Sequence, residues 1–187
     1  MPKSSSANTQ KAILVAANQI VIEQGVEHMT LEQVAAQAGI SKGGLLYHYP
    51  SKEALIKGMI THYLERFTED FGQAAGQQGE VAGRWNRSYL TTTFADNQRV
   101  PRMSSGLLAA AATNPGLLAP LQEKFREWNS LLEQDGVDPT TAAIVHLVAD
   151  GLWLVELFGL AAPDEEMKSK VLHAMDELIQ RAAKSST

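Results

Sequence analysis

Apolar residues along this chain recur at intervals of three and four, with no sustained alternation with polar ones. That spacing belongs to amphipathic helices and argues against half-buried strands. Over residues 8–24 the stripe is Ile13, Ala17, Ile20 and Val21, and Gly25 is placed as a left-handed terminator. A second helix is expected to start at Thr30, with Gln33 three residues on in a capping-box arrangement. Its apolar positions, Leu31, Val34, Ala35 and Ala38, fall on one face. Gly39 stops it, and Ser41 is placed to cap a third helix after a turn of about three residues. Pro50 ends that helix, because the residue before a proline is pushed out of helical geometry. Ser51 then caps a long fourth helix in which Leu55, Met59, Ile60, Tyr63, Leu64 and Phe67 run to about residue 71. The Gly- and Gln-rich segment 72–83 reads as a loop. Helices over 84–95, 99–113, 117–134, 140–160 and 164–183 complete an all-α chain of about nine helices.

Composition narrows the chemistry. Of 187 residues 44% are hydrophobic and 20% charged, a globular balance. With no cysteine there is no disulfide, thiolate nucleophile or Cys-bound zinc. His28, His48, His62, His146 and His173 do not fall at metal spacing. Nucleophile-elbow, P-loop, Rossmann and His-Glu-x-x-His patterns are all missing. No catalytic residue, metal or cofactor is therefore assigned. The N-terminal stretch lacks the apolar core of a signal peptide, so a cytoplasmic protein is expected. Residues 140–162 are apolar over a membrane-spanning length, but His146, Asp150 and Glu156 interrupt them. That run is better explained by a protein core or a subunit interface than by a membrane. Net charge is −5, divided as +1 over residues 1–60 and −6 over the rest.

The chemistry concentrates in the third helix, SKGGLLYHY at 41–49. Two glycines cost a helix about 1 kcal/mol each relative to alanine. On a helical projection Leu45 and Tyr49 share one side, while Lys42, Gly43, Gly44, Tyr47 and His48 share the other. Without Cβ atoms, the glycine side can lie against a bulky partner. A Lys ammonium, a Tyr hydroxyl, a His ring and free helix-start N–H groups suit phosphate oxygens. Two short helices joined by a glycine turn make a helix-turn-helix, whose second helix enters the DNA major groove.

Residues 30–55, TLEQVAAQAGISKGGLLYHYPSKEAL, resemble the DNA-binding core of the TetR family of transcriptional regulators. That core carries a Thr at the start of the second helix. It then reads Ala-Gly-(Val/Ile)-Ser-(Lys/Arg)-Gly-(Thr/Ala)-Leu-Tyr-x-His-Phe, followed by a short turn and Lys-(Glu/Asp)-x-Leu. The match covers about residues 11–63. It implies an N-terminal helix-turn-helix domain over 1–55 and an effector-binding and dimerisation domain over 56–187. It further implies Thr30 and Ser41 as phosphate contacts and Lys42, Gly43 and Gly44 as the groove-facing first turn. Tyr47 and His48 resemble backbone-contacting rings, and Lys52 a phosphate clamp. Gly44 replaces a common Thr and Leu46 a common Tyr. Leu46 then packs on sugar or a thymine methyl, or belongs to the core. The first arginine is Arg66, so the usual bidentate guanine reader is missing from the head.

One such module contacts little DNA, so a homodimer on a palindromic double-stranded operator is expected. The last two helices are its candidate interface, with Leu152, Val155, Val171, Ala174, Met175 and Leu178. For a small-molecule effector, Trp85, Tyr89, Met103 and Leu107 are candidate wall residues. His146, Asp150 and Trp153 share one face at i, i+4 and i+7. The His–Asp pair is either a ligand contact, a satisfied buried pair or part of the interface. The family resemblance implies a repressor released by that effector.

Overall fold

The computed structural model describes residues 3–99, 108 and 114–185. Among these, the structure has eight helices and no strand. They are α1 (Lys3–Gln24), α2 (Leu31–Gln37), α3 (Lys42–His48), α4 (Lys52–Gln77), α5 (Arg84–Arg99), α6 (Pro115–Glu133), α7 (Pro139–Leu157) and α8 (Glu165–Ser185). The helix expected over 99–113 lies almost wholly outside the described residues. Two compact units form, one from residues 1–64 and 103–122, the other from 65–102 and 123–187.

In the first unit the capping expectations translate into bonds. The Thr30 hydroxyl accepts from the Gln33 amide at 3.2 Å, and the Gln33 side chain accepts from the Thr30 amide at 2.9 Å. Gly39 takes φ +69°, a left-handed turn that costs glycine little, and Ile40 closes it by donating to the Ala35 carbonyl at 3.0 Å. The Ser41 hydroxyl then accepts from Gly44 at 3.1 Å and starts α3. Ile13, Ala17 and Ile20 of α1, Val34 and Ala35 of α2, Leu45 of α3, and Leu55 and Ile60 of α4 are all buried. Tyr49 closes α3 and lays its ring on Gly58 of α4. A Cβ at position 58 would stand 2.4 Å from Cε1 of that ring.

In the second unit α5 packs along α7, and α8 touches both. Asp135, in the turn between α6 and α7, caps α5 from a distance. Its carboxylate accepts from the Asn86 backbone at 2.9 Å and from the Asn86 side chain at 3.0 Å. Lys168 of α8 reaches Glu156 of α7 at 2.5 Å and Glu165 at 2.8 Å. The hydrogen bond to Glu156, then that to Glu165, holds the Lys168 ammonium above its usual pKa.

Four boundaries differ from the sequence expectation by three residues or more, the first being α1, which starts at Lys3 rather than about residue 8. Residues 72–77, expected as loop, continue α4, and the turn waits for Gly79 at φ +71°. Phe71 and Ala75 are each 1% exposed, and their burial outweighs the helix cost of Gly72 and Gly76. α5 runs to Arg99 rather than 95, since no glycine or proline intervenes before Pro101. α7 ends at Leu157 rather than 160, where Gly159 turns at φ +63°.

Gly58→Ala is expected to destabilise the protein by about 1–3 kcal/mol through overpacking against Tyr49. Urea unfolding of the variant beside the parent chain measures this, and an unchanged midpoint would remove Tyr49–Gly58 as the joint of α3 to α4.

Candidate nucleic-acid interface

The side of α3 that faces outward is set by what it buries. Leu45 is fully buried and Tyr49 is 7% exposed, so the opposite side must face solvent. There Gly43 is exposed, Gly44 is half-buried and Tyr47 stands 85% exposed, while Lys42, three positions before Leu45, is exposed because it opens the helix. The Tyr47 ring meets the half-buried His48 edge-on, with centroids 5.2 Å apart and planes at 83°. Leu46 is half-buried, which suits either of its two expected roles.

Internal packing does not force a glycine at Gly43, and at Gly44 it leaves a Cβ only a tight fit against the capping serine. A Cβ on Gly43 would come no closer than 4.0 Å to the Ser41 hydroxyl, and one on Gly44 would sit 3.3 Å from it. The missing side chains thus leave an open strip along the outer side of the helix.

Four of the polar groups expected to meet DNA, Thr30, Ser41, Lys42 and Lys52, already have partners in the free chain. The Thr30 hydroxyl donates to the Gln33 side chain at 2.9 Å, besides its cap. The Ser41 oxygen is occupied by the Gly44 amide. Lys42 is ion-paired with Glu32 of α2. Lys52 donates to the Glu27 carbonyl at 2.9 Å, tying the start of α4 to the turn before α2. An ammonium has two further donors for another acceptor. Sequence reasoning missed Glu32 and Glu27 because each reaches its partner across a turn, ten and twenty-five positions along the chain.

A second constellation lies in the second unit. The Tyr89 hydroxyl, on a ring 2% exposed, donates to Oδ1 of Asp150 at 2.8 Å. His146 Nε2 lies 2.9 Å from Oδ2 of the same carboxylate, out of line for a directed hydrogen bond. The other ring nitrogen meets the Asn129 amide oxygen at 3.0 Å. Aromatic rings enclose this chain. Trp128 lies 6.1 Å and Phe67 5.7 Å from the Tyr89 centroid, and Phe125 lies 6.0 Å from His146. Trp85 is half-buried against Phe71 at 5.1 Å, and Trp153 is half-buried one turn further along α7. Met103 and Leu107 lie outside the described residues. Phe125, Trp128 and Asn129 were missed, although their spacing on one face of α6 was available.

The interface candidates divide. Leu152 is 6% exposed and sits on the inner face of α7 with Thr141, Ala142, Val145 and Ala149. It is part of its own unit's core, which corrects its assignment to a dimer contact. A helix apolar nearly all round hides its phase, and one residue's error turns the face by 100°. The outer side carries Ile144 (38% exposed), Leu147 (73%), Gly151, Leu154 (43%) and Phe158 (46%), spaced three and four apart. On α8, Val171, Met175 and Leu178 are half-buried and Ala174 is exposed. By length and composition α7 could cross a membrane, but one side of it is packed into the protein.

Two family patterns match this chain. Residues 13–59 match bacterial regulatory proteins of the tetR family, and residues 83–180 match the tetracyclin repressor-like C-terminal domain. The chain belongs to the TetR family. Its relatives include transcriptional regulators, and the chain is not an enzyme. The transcriptional repressor BepR of Brucella suis biovar 1 (strain 1330) is 36% identical over 58 residues, which are 31% of this chain and 28% of BepR. The chain thus matches about a third of the length of such curated relatives. A transcriptional regulator from Rhodococcus sp. superposes with a TM-score of 0.73 over 93% of this chain and 97% of its own, at 20% identity, a likeness of fold alone. The multidrug binding protein EbrR, complexed with imidazole, superposes at 0.64 over 89% of this chain and 93% of its own, at 25% identity.

Tyr89→Phe should cost about 1–2 kcal/mol by leaving one Asp150 oxygen without its buried donor. Chemical denaturation monitored by Trp fluorescence reads this directly. No loss of stability would show that the Tyr89–Asp150 bond is not a structural tie.

Proposed function

We propose that this protein is a ligand-responsive, DNA-binding repressor that sits as a homodimer on a palindromic operator in the cytoplasm and is released by a small-molecule effector. The observation that carries the reading is the outward side of α3, where Lys42, Gly43, Gly44 and the 85%-exposed Tyr47 follow directly on a capped α2. In this reading residues 1–55 form the DNA-binding domain and residues 56–187 the effector-binding and dimerisation domain.

α3 lies in the major groove, its glycine strip against the base edges. Thr30, Ser41, Tyr47, His48 and Lys52 position it on phosphate. For Lys42 and Lys52 this means exchanging Glu32 and the Glu27 carbonyl for DNA acceptors, or adding the latter to the former. With few cations and no head arginine, sequence choice leans on DNA shape as well as direct contact. The outer stripe of α7 with the half-buried side of α8 supplies the dimer contact, a four-helix arrangement across a two-fold axis. The Tyr89–Asp150–His146 chain within its aromatic shell is the candidate effector site, apolar walls around a few fixed polar groups. An effector acts by favouring a conformation in which the two α3 helices are wrongly spaced for successive grooves, about 34–36 Å apart.

Fluorescence anisotropy with DNA from the protein's own upstream region tests the reading. Tyr47→Ala and Lys52→Ala are expected to weaken binding at least about ten-fold with helical content unchanged. Gly43→Ala is expected to raise stability by about 1 kcal/mol and still weaken binding. The salt dependence for the dimer should have a slope of about −4 to −6. A slope near −10, or full binding by Tyr47→Ala, would contradict this interface. Separately, Leu147→Glu with Leu154→Glu should turn a dimer into a folded monomer by light scattering. A dimer that survives both changes rules out the α7 stripe as its contact.

A further inference from the structure

The outward side of α3 has a single lysine, and an acid of the same unit holds it. Lys42 opens α3, and Glu32 stands in the first turn of α2. Their side chains are ion-paired while remaining 55% and 61% exposed. The Lys42 hydrogen bond is the largest of the causes that lower the Glu32 carboxyl below its usual pKa, so the acid is ionised at neutral pH. The fold has little use for the pair. The start of α2 is already satisfied by the Thr30–Gln33 box, and exposed, solvent-screened pairs contribute little to stability. Its position relative to DNA is another matter. In the arrangement proposed above, the starts of α2 and α3 approach the duplex first. A carboxylate there repels phosphate and also occupies the lysine of α3 that would attract it.

We propose that Glu32 is a specificity determinant, an internal acceptor that occupies Lys42 and keeps the reading helix from binding DNA by charge alone. The proposal rests on the DNA-binding reading above. On an arbitrary duplex, Lys42 exchanges one anionic partner for another, and Glu32 is left facing the phosphate backbone. Little is gained. On the operator, Lys42 can bond the O6 and N7 acceptors of a guanine edge while Tyr47 and the bare backbone of α3 fit the groove. Only there is the loss of the Glu32 partner outweighed. Glu32 thus lowers affinity for all DNA, and lowers it most for the wrong DNA.

Glu32→Gln, which keeps the shape and removes the charge, tests this. Binding to a random duplex and to the operator duplex is measured by anisotropy across a salt series, with and without Lys42→Met. The variant is expected to bind the random duplex about three- to ten-fold tighter as a dimer. Its gain on the operator should be smaller, so the ratio of the two affinities falls. The salt slope on random DNA should steepen by about one per protomer, as Lys42 becomes free to release counterions. Lys42→Met should abolish the gain. Unchanged affinity for random DNA overturns the proposal, as does a gain that survives Lys42→Met. So does an operator affinity that falls, since that would make Glu32 a direct contact to a base. A parent chain that retains no duplex at low salt sinks the DNA-binding reading itself, and this proposal with it. Circular dichroism of each variant separates these outcomes from misfolding.

Discussion

The burial of Leu45 and Tyr49 determines which way α3 faces. A seven-residue helix cannot persist alone in water, so its roll about its own axis is fixed by what it packs against. Leu45 is fully buried, and Tyr49 presses its ring onto the bare backbone of Gly58. Burying a leucine side chain is worth about 1.5–3 kcal/mol, enough to hold the helix in one orientation. With that side turned in, Gly43 and Tyr47 on the far side face out, and Lys42 reaches solvent from the exposed first position of the helix. The proposed function follows from that geometry, because the same seven residues rolled by half a turn would offer DNA an apolar face.

The two units spend their polar groups differently. In the first unit, Thr30, Ser41, Lys42 and Lys52 make near-surface bonds that water or DNA can replace. In the second, Tyr89 donates to Asp150 and His146 meets Asn129 among aromatic rings, where losing the buried Tyr89 donor costs more than losing a surface bond. The outer stripe of α7 is a third kind of surface. Leu147 is 73% exposed with Leu154 and Phe158 on the same side, a cost that covering by a second copy would recover.

Much of this was legible in the amino-acid order. Thr30 with Gln33, Gly39, Ser41 and Pro50 bounded α2 and α3 because caps and turns act locally and have strict residue requirements. The division of α3 into Leu45 and Tyr49 against Gly43 and Tyr47 came from helical geometry alone. Contacts that join distant positions left no such trace. The Lys42–Glu32 pair, the Lys52–Glu27 bond and the Asp135 cap on Asn86 depend on how helices meet. Leu152 was misassigned because a helix rich in apolar residues on every side gives no phase. The loop expected at 72–83 failed over residues 72–77 because composition was weighed without the burial of Phe71 and Ala75.

Dimethyl sulfate protection across the protein's own upstream DNA tests the central claim most directly, since it reports guanine N7 in the major groove. Two α3 helices seated by their glycine sides predict two protected patches one helical turn, about 10 base pairs, apart. Protection confined to adenine N3 in the minor groove, or a single patch from a dimeric protein, would contradict the orientation of α3 on which the account rests.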